Sequence, residues 1–402
     1  MKKVLFVNGS YNEIPLIEAA HKLGYYVITS GNDEKGEGHK YSDEYVPCDY
    51  SDKESIYKLA KKLHVDGICS CGNDFGALSA AYASEKLNLN GHDSYHNCRY
   101  FHEKDKFKEL CDTLCISTPR SYVFTDFSFG VVFLEKAIFP LIIKPNDLGG
   151  GKGISIVSDI ESGLIALEKA FQVSKSKVVL IEEYIDGPQF GYTCFIKDKS
   201  IAFDYLSQDY SYLNPFMVWS AVANFPDEYC ELRSIIRHDV KLLSQYLNVY
   251  DGFLTIQLKV KDNKPYYIET MRRCLGNMHY ICISNDFHFD AYELFLANEL
   301  GLNTDDYLAK VKEQQQASAF MGLYANCNGK YLGYEVDDRY KKLLFYKYEV
   351  EKRGFIITNY LSEKIGMIYL SFNSKEERDS FICDMKSIVS VEVEEQWKVL
   401  NY

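Results

Sequence analysis

"IIKPNDLGGGKGISIV", residues 142–157, is the stretch whose reading decides the fold. A Lys and a Pro close one β-branched run, Gly149, Gly150 and Gly151 follow, then Lys152 and Gly153, and a second β-branched run begins at Ile154. Glycines expose backbone N–H groups without side-chain bulk, which suits phosphate oxygens. Lys152 adds a positive charge. Two familiar phosphate motifs do not fit. A P-loop needs Gly, four residues, then Gly-Lys-Ser/Thr, but Gly153 follows Lys152 and Asn146 stands where the first Gly should be. The GxGxxG pattern fails at Ile154. What remains is a glycine-rich turn between two strands, either a phosphate cradle or an ordinary hairpin loop.

Outward from that loop, the first hundred residues alternate. "KVLFVNG" reads as a strand ending at Gly9, and "EIPLIEAAHKLG" has helical spacing with a stop at Gly24. "YYVITS" is a second strand, "DKESIYKLAKKLH" a helix capped by Asp52, "VDGICSCG" a third strand and "DFGALSAAYASEKLN" a third helix. Such alternation gives a parallel sheet with right-handed crossovers, and ligands sit beyond the carboxyl ends of its strands. Gly9, Ser10 and Tyr11 lie at one such end, and Gly72, Asn73 and Asp74 at another. Residues 92–120 read as one polar helix and a turn closing on Pro119. Short strands dominate from about 120 to 318, among them the hairpins "QFGYTCFIKDKSIAF" and "GFLTIQLKVKDNKPYYIET". The tail holds strand-like "RGFIITNYL" and "IGMIYLSF", then a helix at "KEERDSFICDMKSIVS".

A chain of 402 residues implies two or three domains. Its formal charge of −12 excludes binding to nucleic acid or an anionic membrane through a general positive field, though not a local basic site. "MKKVLFVNGSYNEIP" reads as a first strand, not a signal peptide, and no run of about 18 apolar residues could span a bilayer. The 12 cysteines, among them Cys69, Cys71, Cys111, Cys115, Cys274 and Cys282, sit in apolar segments without zinc-type spacing. A reduced, cytoplasmic chain with buried thiols is expected.

An ordered set of motifs follows: Lys106; Lys144-Pro145 with the glycines; "VLIEEYIDGPQ" (179–189); "TIQLKV" (255–260); "YYIETMRR" (266–273). In this order the chain resembles the ATP-grasp superfamily over nearly its whole length. The arrangement is similar to that of biotin carboxylase, of the purine-biosynthetic ligases and of carbamoyl-phosphate-synthase-like ligases. The resemblance implies a mixed α/β and α+β fold. Residues 1–100 would be a Rossmann-like preATP-grasp domain, 101–318 a two-part ATP-grasp core with a hinge near 182–189, and 319–402 a small α+β domain.

It also implies roles. Lys106 and Lys144 would hold nucleotide phosphates, with Gly149, Gly150, Gly151, Lys152 and Gly153 closing over them. Glu182, Glu183, Tyr184 and Ile185 would read adenine, and Gln189 would replace the usual Glu at the ribose. Gln257 and Glu269 would hold magnesium, while Met271 replaces the usual Asn and is a poor ligand for a hard cation. Arg273, with Arg272 beside it, would contact the γ-phosphate or an acyl phosphate. The implied function is an ATP-dependent carboxylate–amine ligase working through an acyl phosphate and releasing ADP and phosphate. The alternatives are a bicarbonate-using carboxylase and a nucleotide-binding protein without turnover. The cofactors would be ATP and Mg2+, Mn2+ being an allowed replacement. The partners would be a small-molecule carboxylate and an amine, with a homodimer allowed.

Overall fold

Parallel strands are covered on both faces, so they read as unbroken apolar runs. In the computed structural model, which describes residues 1–70 and 72–394, the N-terminal runs behave this way. β1 (Lys3–Phe6), α1 (Ile14–Lys22), β2 (Tyr26–Thr29), β3 (Glu44–Tyr45), α2 (Lys53–Leu63), β4 (Gly67–Cys69) and α3 (Asp74–Leu87) follow in order. The sheet order is β3-β2-β1-β4, with every pairing parallel. Asp52 caps α2 by accepting from the N–H groups of Glu54 and Ser55, and Asn73 caps α3 in the same manner. Each such cap stabilises by about 1 kcal/mol.

The single polar helix expected over 92–120 is two helices, α4 (Tyr95–His102) and α5 (Lys104–Leu114). Glu103 is extended, at φ −108° and ψ 118°, and its carboxylate takes a bidentate pair from Arg99. The helical phase therefore restarts at Lys104.

β5 (Ser121–Phe124), α6 (Phe127–Leu134), β6 (Leu141–Pro145), β7 (Ser155–Val157), α7 (Ile160–Val173) and β8 (Val179–Glu183) build an antiparallel sheet of order β5-β8-β6-β7. Side chains alternate across a strand. Leu141, Ile143, Val179 and Ile181 pack on Leu134 and Leu167, so Ile142, Lys144, Leu180 and Glu182 fall on the other face. β9 (Gln189–Lys197), β10 (Ser200–Tyr210), α8 (Cys230–Tyr246), β11 (Gly252–Lys261) and β12 (Lys264–Met271) complete the region, with sheet order β12-β11-β9-β10. Both expected hairpins form. Asp198 and Lys199 turn the first with φ of +49° and +61°, and Asp262 and Asn263 the second with +52° and +58°. Two consecutive left-handed residues match the right-handed twist of the flanking strands. Leu232, Ile236, Val240 and Leu243 of α8 cover Tyr192, Leu254, Ile256 and Leu258, each fully buried aliphatic side chain stabilising by about 1.5–3 kcal/mol.

The chain groups into two compact units, one of residues 1–206, 229–276 and 292–309, the other of 207–228, 277–291 and 310–402. In the second unit Ser207–Tyr210 pairs with Ser220–Ala223, which pairs with Ala317–Leu323, then Gly366–Phe372, then Leu344–Glu349. A small second sheet joins Ile356–Ile357, Gly329–Val336 and Val389–Glu394. Two expectations change here. The last helix ends at Asp384 instead of running to Ser390, because "VSVEVE" alternates with period two and pairs as a strand. Of "RGFIITNYL" only Ile356 and Ile357 are paired.

Cys69, Cys111, Cys274 and Cys282 are buried as expected, and no disulfide forms among the described residues. Cys115 is exposed, since it takes φ +56° at the end of α5, and Cys71 lies outside the described residues. No helix among the described residues is long and apolar enough to cross a membrane.

Candidate active site

The site lies in the first unit, where β6, β8, β11, β12 and α5 each contribute one or two polar groups to otherwise apolar surroundings. Ile142 stands opposite Glu182 in register, which puts Lys144 diagonal to Glu182 on the same face. The Lys144 Nζ lies 2.6 Å from Glu182 Oε2, and the side chains are 3% and 1% exposed. From α5, Lys108 brings its ammonium within 3.4 Å of Glu182 Oε1 and donates to the Tyr267 carbonyl at 3.2 Å. Glu182 Oε1 nevertheless makes no hydrogen bond among the described residues.

Burial alone would raise the Glu182 carboxyl, but Lys108 and Lys144 outweigh it and hold the group down to about 2. Burial also lowers the Lys108 ammonium against the pull of Glu182. A carboxyl with a depressed folded pKa contributes stability above its unfolded value, lost as the pH falls through the folded value. For Glu182 that window runs from about 4.5 down to about 2. Acid unfolding should therefore steepen there, and Glu182→Gln should flatten that limb. Circular dichroism against pH checks this, and superimposable acid limbs would contradict it.

The turn of α5 that carries Lys108 also carries Lys104, because residues four apart share a helix face. Lys104, Phe107, Lys108 and Cys111 are buried. The Lys104 ammonium donates to the Leu148 carbonyl at 2.9 Å and lies 3.4 Å from Glu269 Oε2. It thus joins the glycine loop to β12. Lys106 falls on the opposite side of the helix, a third exposed, with its ammonium 2.7 Å from Glu109. The structure does not bring Lys106 to this cluster.

The glycine loop leaves β6 at Asn146, whose side chain exchanges two hydrogen bonds with Asp105 at 3.0 and 2.8 Å. Gly150, Gly151 and Gly153 have φ of +66°, +76° and +73°, a region that disfavours any Cβ. A Cβ on Gly153 would also meet Val173 Cγ2 at 2.7 Å and Pro145 Cγ at 3.1 Å, whereas Gly150 faces open space. Gly153→Ala should therefore lower the melting temperature clearly more than Gly150→Ala, which carries only the backbone penalty of about 1–2 kcal/mol. Equal shifts in a thermal melt would show that the packing around Gly153 does not matter. Lys152 is exposed.

Gln257 and Glu269 face each other across β11 and β12, and Thr255 faces Met271. The two positions expected to hold the metal are therefore neighbours on one face, with the buried Met271 two residues along. Among the described residues no group of three or more His, Cys, Asp or Glu could hold a metal ion. The donor set is one carboxylate and one amide, which suits Mg2+ only when phosphate oxygens and water complete the shell.

Arg273 and Arg272 part company. The Arg273 guanidinium forks onto Asp74, Nε at 2.7 Å and Nη2 at 3.3 Å, with Nη1 donating to the Cys274 carbonyl at 3.0 Å. Arg272 turns away, its Nε 2.5 Å from Asp93 and its Nη2 donating to the Tyr250 and Asp251 carbonyls. Glu183 is likewise drawn aside, accepting from the Arg120 backbone at 3.0 Å and its Nε at 2.8 Å. Tyr184 donates its N–H to the Pro140 carbonyl at 3.4 Å, Ile185 is buried, and Gln189 opens β9 opposite Lys259.

Four residues join the cluster without having been singled out: Lys104, Lys108, His102 and, in this role, Asp74. The i, i+4 spacing of the two lysines around Phe107 was a readable signal. His102 carried none.

Comparison with known proteins bears on the domain and the fold. The family model of the phosphoribosylglycinamide synthetase ATP-grasp (A) domain matches residues 102–215. The phosphoribosylamine–glycine ligase of Listeria innocua is 25% identical over 204 residues, 47% of this chain and 48% of that protein. The chain spans about half the length, or less, of the curated relatives it matches. The structure of an L-amino acid ligase from Bacillus licheniformis superposes with a TM-score of 0.81 at 19% identity, covering 98% of this chain and 99% of that one. A phosphoribosylglycinamide synthetase from Anaerococcus prevotii does so with a TM-score of 0.77 at 18% identity, covering 98% and 100%. At such identities the likeness establishes the fold. Residues 102–215 thus match an ATP-grasp domain, and the fold is the mixed α/β and α+β one expected from the sequence.

Proposed function

We propose that the chain is an ATP-dependent carboxylate–amine ligase. An oxygen of the substrate carboxylate attacks the γ-phosphorus, the bond to the β-phosphate breaks and ADP leaves. The amine nitrogen then attacks the acyl carbon, and phosphate departs as the C–N bond forms. Such chemistry asks the protein mainly for position and charge neutralisation. The observation that carries this reading is the set of three buried lysines, Lys104, Lys108 and Lys144, whose carboxylate partners are Glu182 and Glu269. Three buried ammonium groups against two carboxylates favour a further anion.

ATP fits these residues. Its phosphates would lie under Gly149–Gly153 against Lys144 and Lys104, the latter taking the role expected of Lys106. The adenine amino group would meet Glu182 Oε1, a buried acceptor with no hydrogen bond among the described residues. Glu269 and Gln257 would hold Mg2+, or Mn2+ in its place, together with phosphate oxygens; bound there, the ion would neutralise charge on the transferring phosphoryl group. Arg273 would set its guanidinium charge beside that group. The partners would be a small-molecule carboxylate and an amine in the cytoplasm.

One observation favours a second reading, nucleotide binding without turnover: a buried thioether, Met271, occupies the third metal position. Incubation with ATP, Mg2+ and pools of amino acids, small carboxylates or bicarbonate separates the two. The ligase reading expects ADP release in at least one carboxylate pool, only when an amine is present or faster when it is. Release with bicarbonate alone would point to a carboxylase, and no release from any pool to the second reading.

A further inference from the structure

Asp74 sits at the N-terminus of α3, just beyond the carboxyl end of β4, among several hydrogen-bonded groups. Ser70 N–H donates to Glu299 at 2.7 Å, and Gly72 N–H donates to Glu13 at 3.0 Å. Glu13 is itself buried and accepts from the Ser10 N–H and hydroxyl, both at 2.7 Å. Asn73 caps α3. Ser70 and Gly72 are thus tied to the helix at Ala291–Glu299 and to the turn at Tyr11–Glu13.

The Asp74 carboxylate meets two groups, which share its Oδ1. Arg273 gives it a two-point contact, and His102 Nδ1 lies 2.9 Å from Oδ1. His102 Nε2 accepts the Arg272 N–H at 3.4 Å, so Nδ1 carries the proton and donates to Asp74. Burial would raise the Asp74 carboxyl, but the Arg273 charge and the His102 hydrogen bond overcome it and keep the group well below the usual carboxylate range. The same cavity wall includes Lys104, Glu269 and Met271, and a Cβ on Gly149 would stand 3.2 Å from Asp74 Oδ2.

We propose that Asp74 is a positioning residue: its two-point contact at Nε and Nη2 fixes the plane of the Arg273 guanidinium, so that this charge is already set in place when a γ-phosphoryl group arrives. A guanidinium on a flexible stem binds an oxyanion well only when its plane is set beforehand, and a carboxylate on a rigid loop sets it. In this arrangement a strand end of the N-terminal parallel sheet serves the ATP-grasp core through a side chain that does not itself touch nucleotide. His102 supports the same carboxylate through Oδ1. The inference rests on the role given to Arg273 above.

The test needs no knowledge of the other substrates. Calorimetry with Mg2+ gives the affinities for ADP and for the β,γ-imido analogue of ATP in wild type, Asp74→Asn, Arg273→Ala and the double variant. Wild type should prefer the analogue by at least about tenfold, the scale of one charge-assisted contact to the γ-phosphate. Asp74→Asn should lose most of that preference, with ADP affinity changed less than about twofold. In the Arg273→Ala background it should cost nothing more, because residues acting through one another are not additive. A wild-type preference in Asp74→Asn, or losses that add in the double variant, would overturn the proposal. Arg273→Lys, which keeps the charge but not the fork, should show the same loss and serves if Asp74→Asn does not fold. Wild type binding both nucleotides equally would overturn the roles of Arg273 and Asp74 alone. Binding of neither would overturn the ligase reading with them.

Discussion

Lys144→Met should weaken ATP binding by about ten- to a hundredfold, the equivalent of losing one charge-assisted contact of about 1.5–3 kcal/mol. The side chain is buried between apolar strand residues and lies 2.6 Å from Glu182. The substitution keeps bulk and removes the charge, and Lys108 remains at 3.4 Å to share Glu182, so the carboxylate is not stranded. Some stability will be lost, since breaking a buried pair outright costs about 3–5 kcal/mol. Lys104→Met should behave like Lys144→Met, because its ammonium links Leu148 in the loop to Glu269. Lys106→Met is the control. Its ammonium pairs with Glu109 at the surface, so ATP affinity should stay within about twofold of wild type. The reverse pattern, with Lys106→Met weak and Lys104→Met normal, would return the phosphate role to Lys106.

Glu269→Gln should abolish turnover while leaving nucleotide binding measurable. Of the two positions proposed for the metal, Glu269 supplies the carboxylate, and Gln257 opposite it is neutral. Magnesium held by one carboxylate depends on the phosphates for the rest of its shell. Isothermal titration should then show little Mg2+ binding to the protein alone and clear binding with ATP present. In Glu269→Gln that second response should fall by at least about an order of magnitude, the scale of losing a charged metal ligand. Met271→Asn should preserve turnover or lower the Mg2+ requirement, since an amide oxygen replaces a thioether at the neighbouring position. Tight Mg2+ binding without nucleotide would mean that a further carboxylate takes part.

The features written locally in the chain were the legible ones. The glycine loop, the strands beside it and both hairpins follow from period-two apolar runs punctuated by Gly, Asp and Asn. The alternation of the first hundred residues gave the parallel sheet for the same reason. The break at Glu103 was not legible. No Gly or Pro marks it, and Glu103 is held extended by its pair with Arg99 while Lys104 turns inward to Leu148 and Glu269. Which of Lys104, Lys106 and Lys108 face inward depends on where that helix starts. Arg272 and Glu183 match the expected motifs in type and spacing, yet Asp93 and Arg120 draw them elsewhere. Those partners lie far away in sequence, beyond the reach of any local pattern. The grouping of 207–228 and 277–291 with 310–402 is hidden for the same reason. The alternation in "VSVEVE", by contrast, is legible in the sequence, and it marks where the helix before it has ended.

The central claim is phosphoryl transfer to a substrate carboxylate, and oxygen labelling tests it most directly. The protein is incubated with ATP, Mg2+, an amine mixture and carboxylates, amino acids and bicarbonate labelled with oxygen-18 in the carboxyl group, and the released phosphate is analysed by mass. An acyl phosphate leaves one carboxylate oxygen on the phosphate when the amine displaces it. The account predicts phosphate carrying one labelled oxygen for each ADP formed, and none from Glu269→Gln. Unlabelled phosphate, which reports attack by water, or no phosphate at all would contradict it.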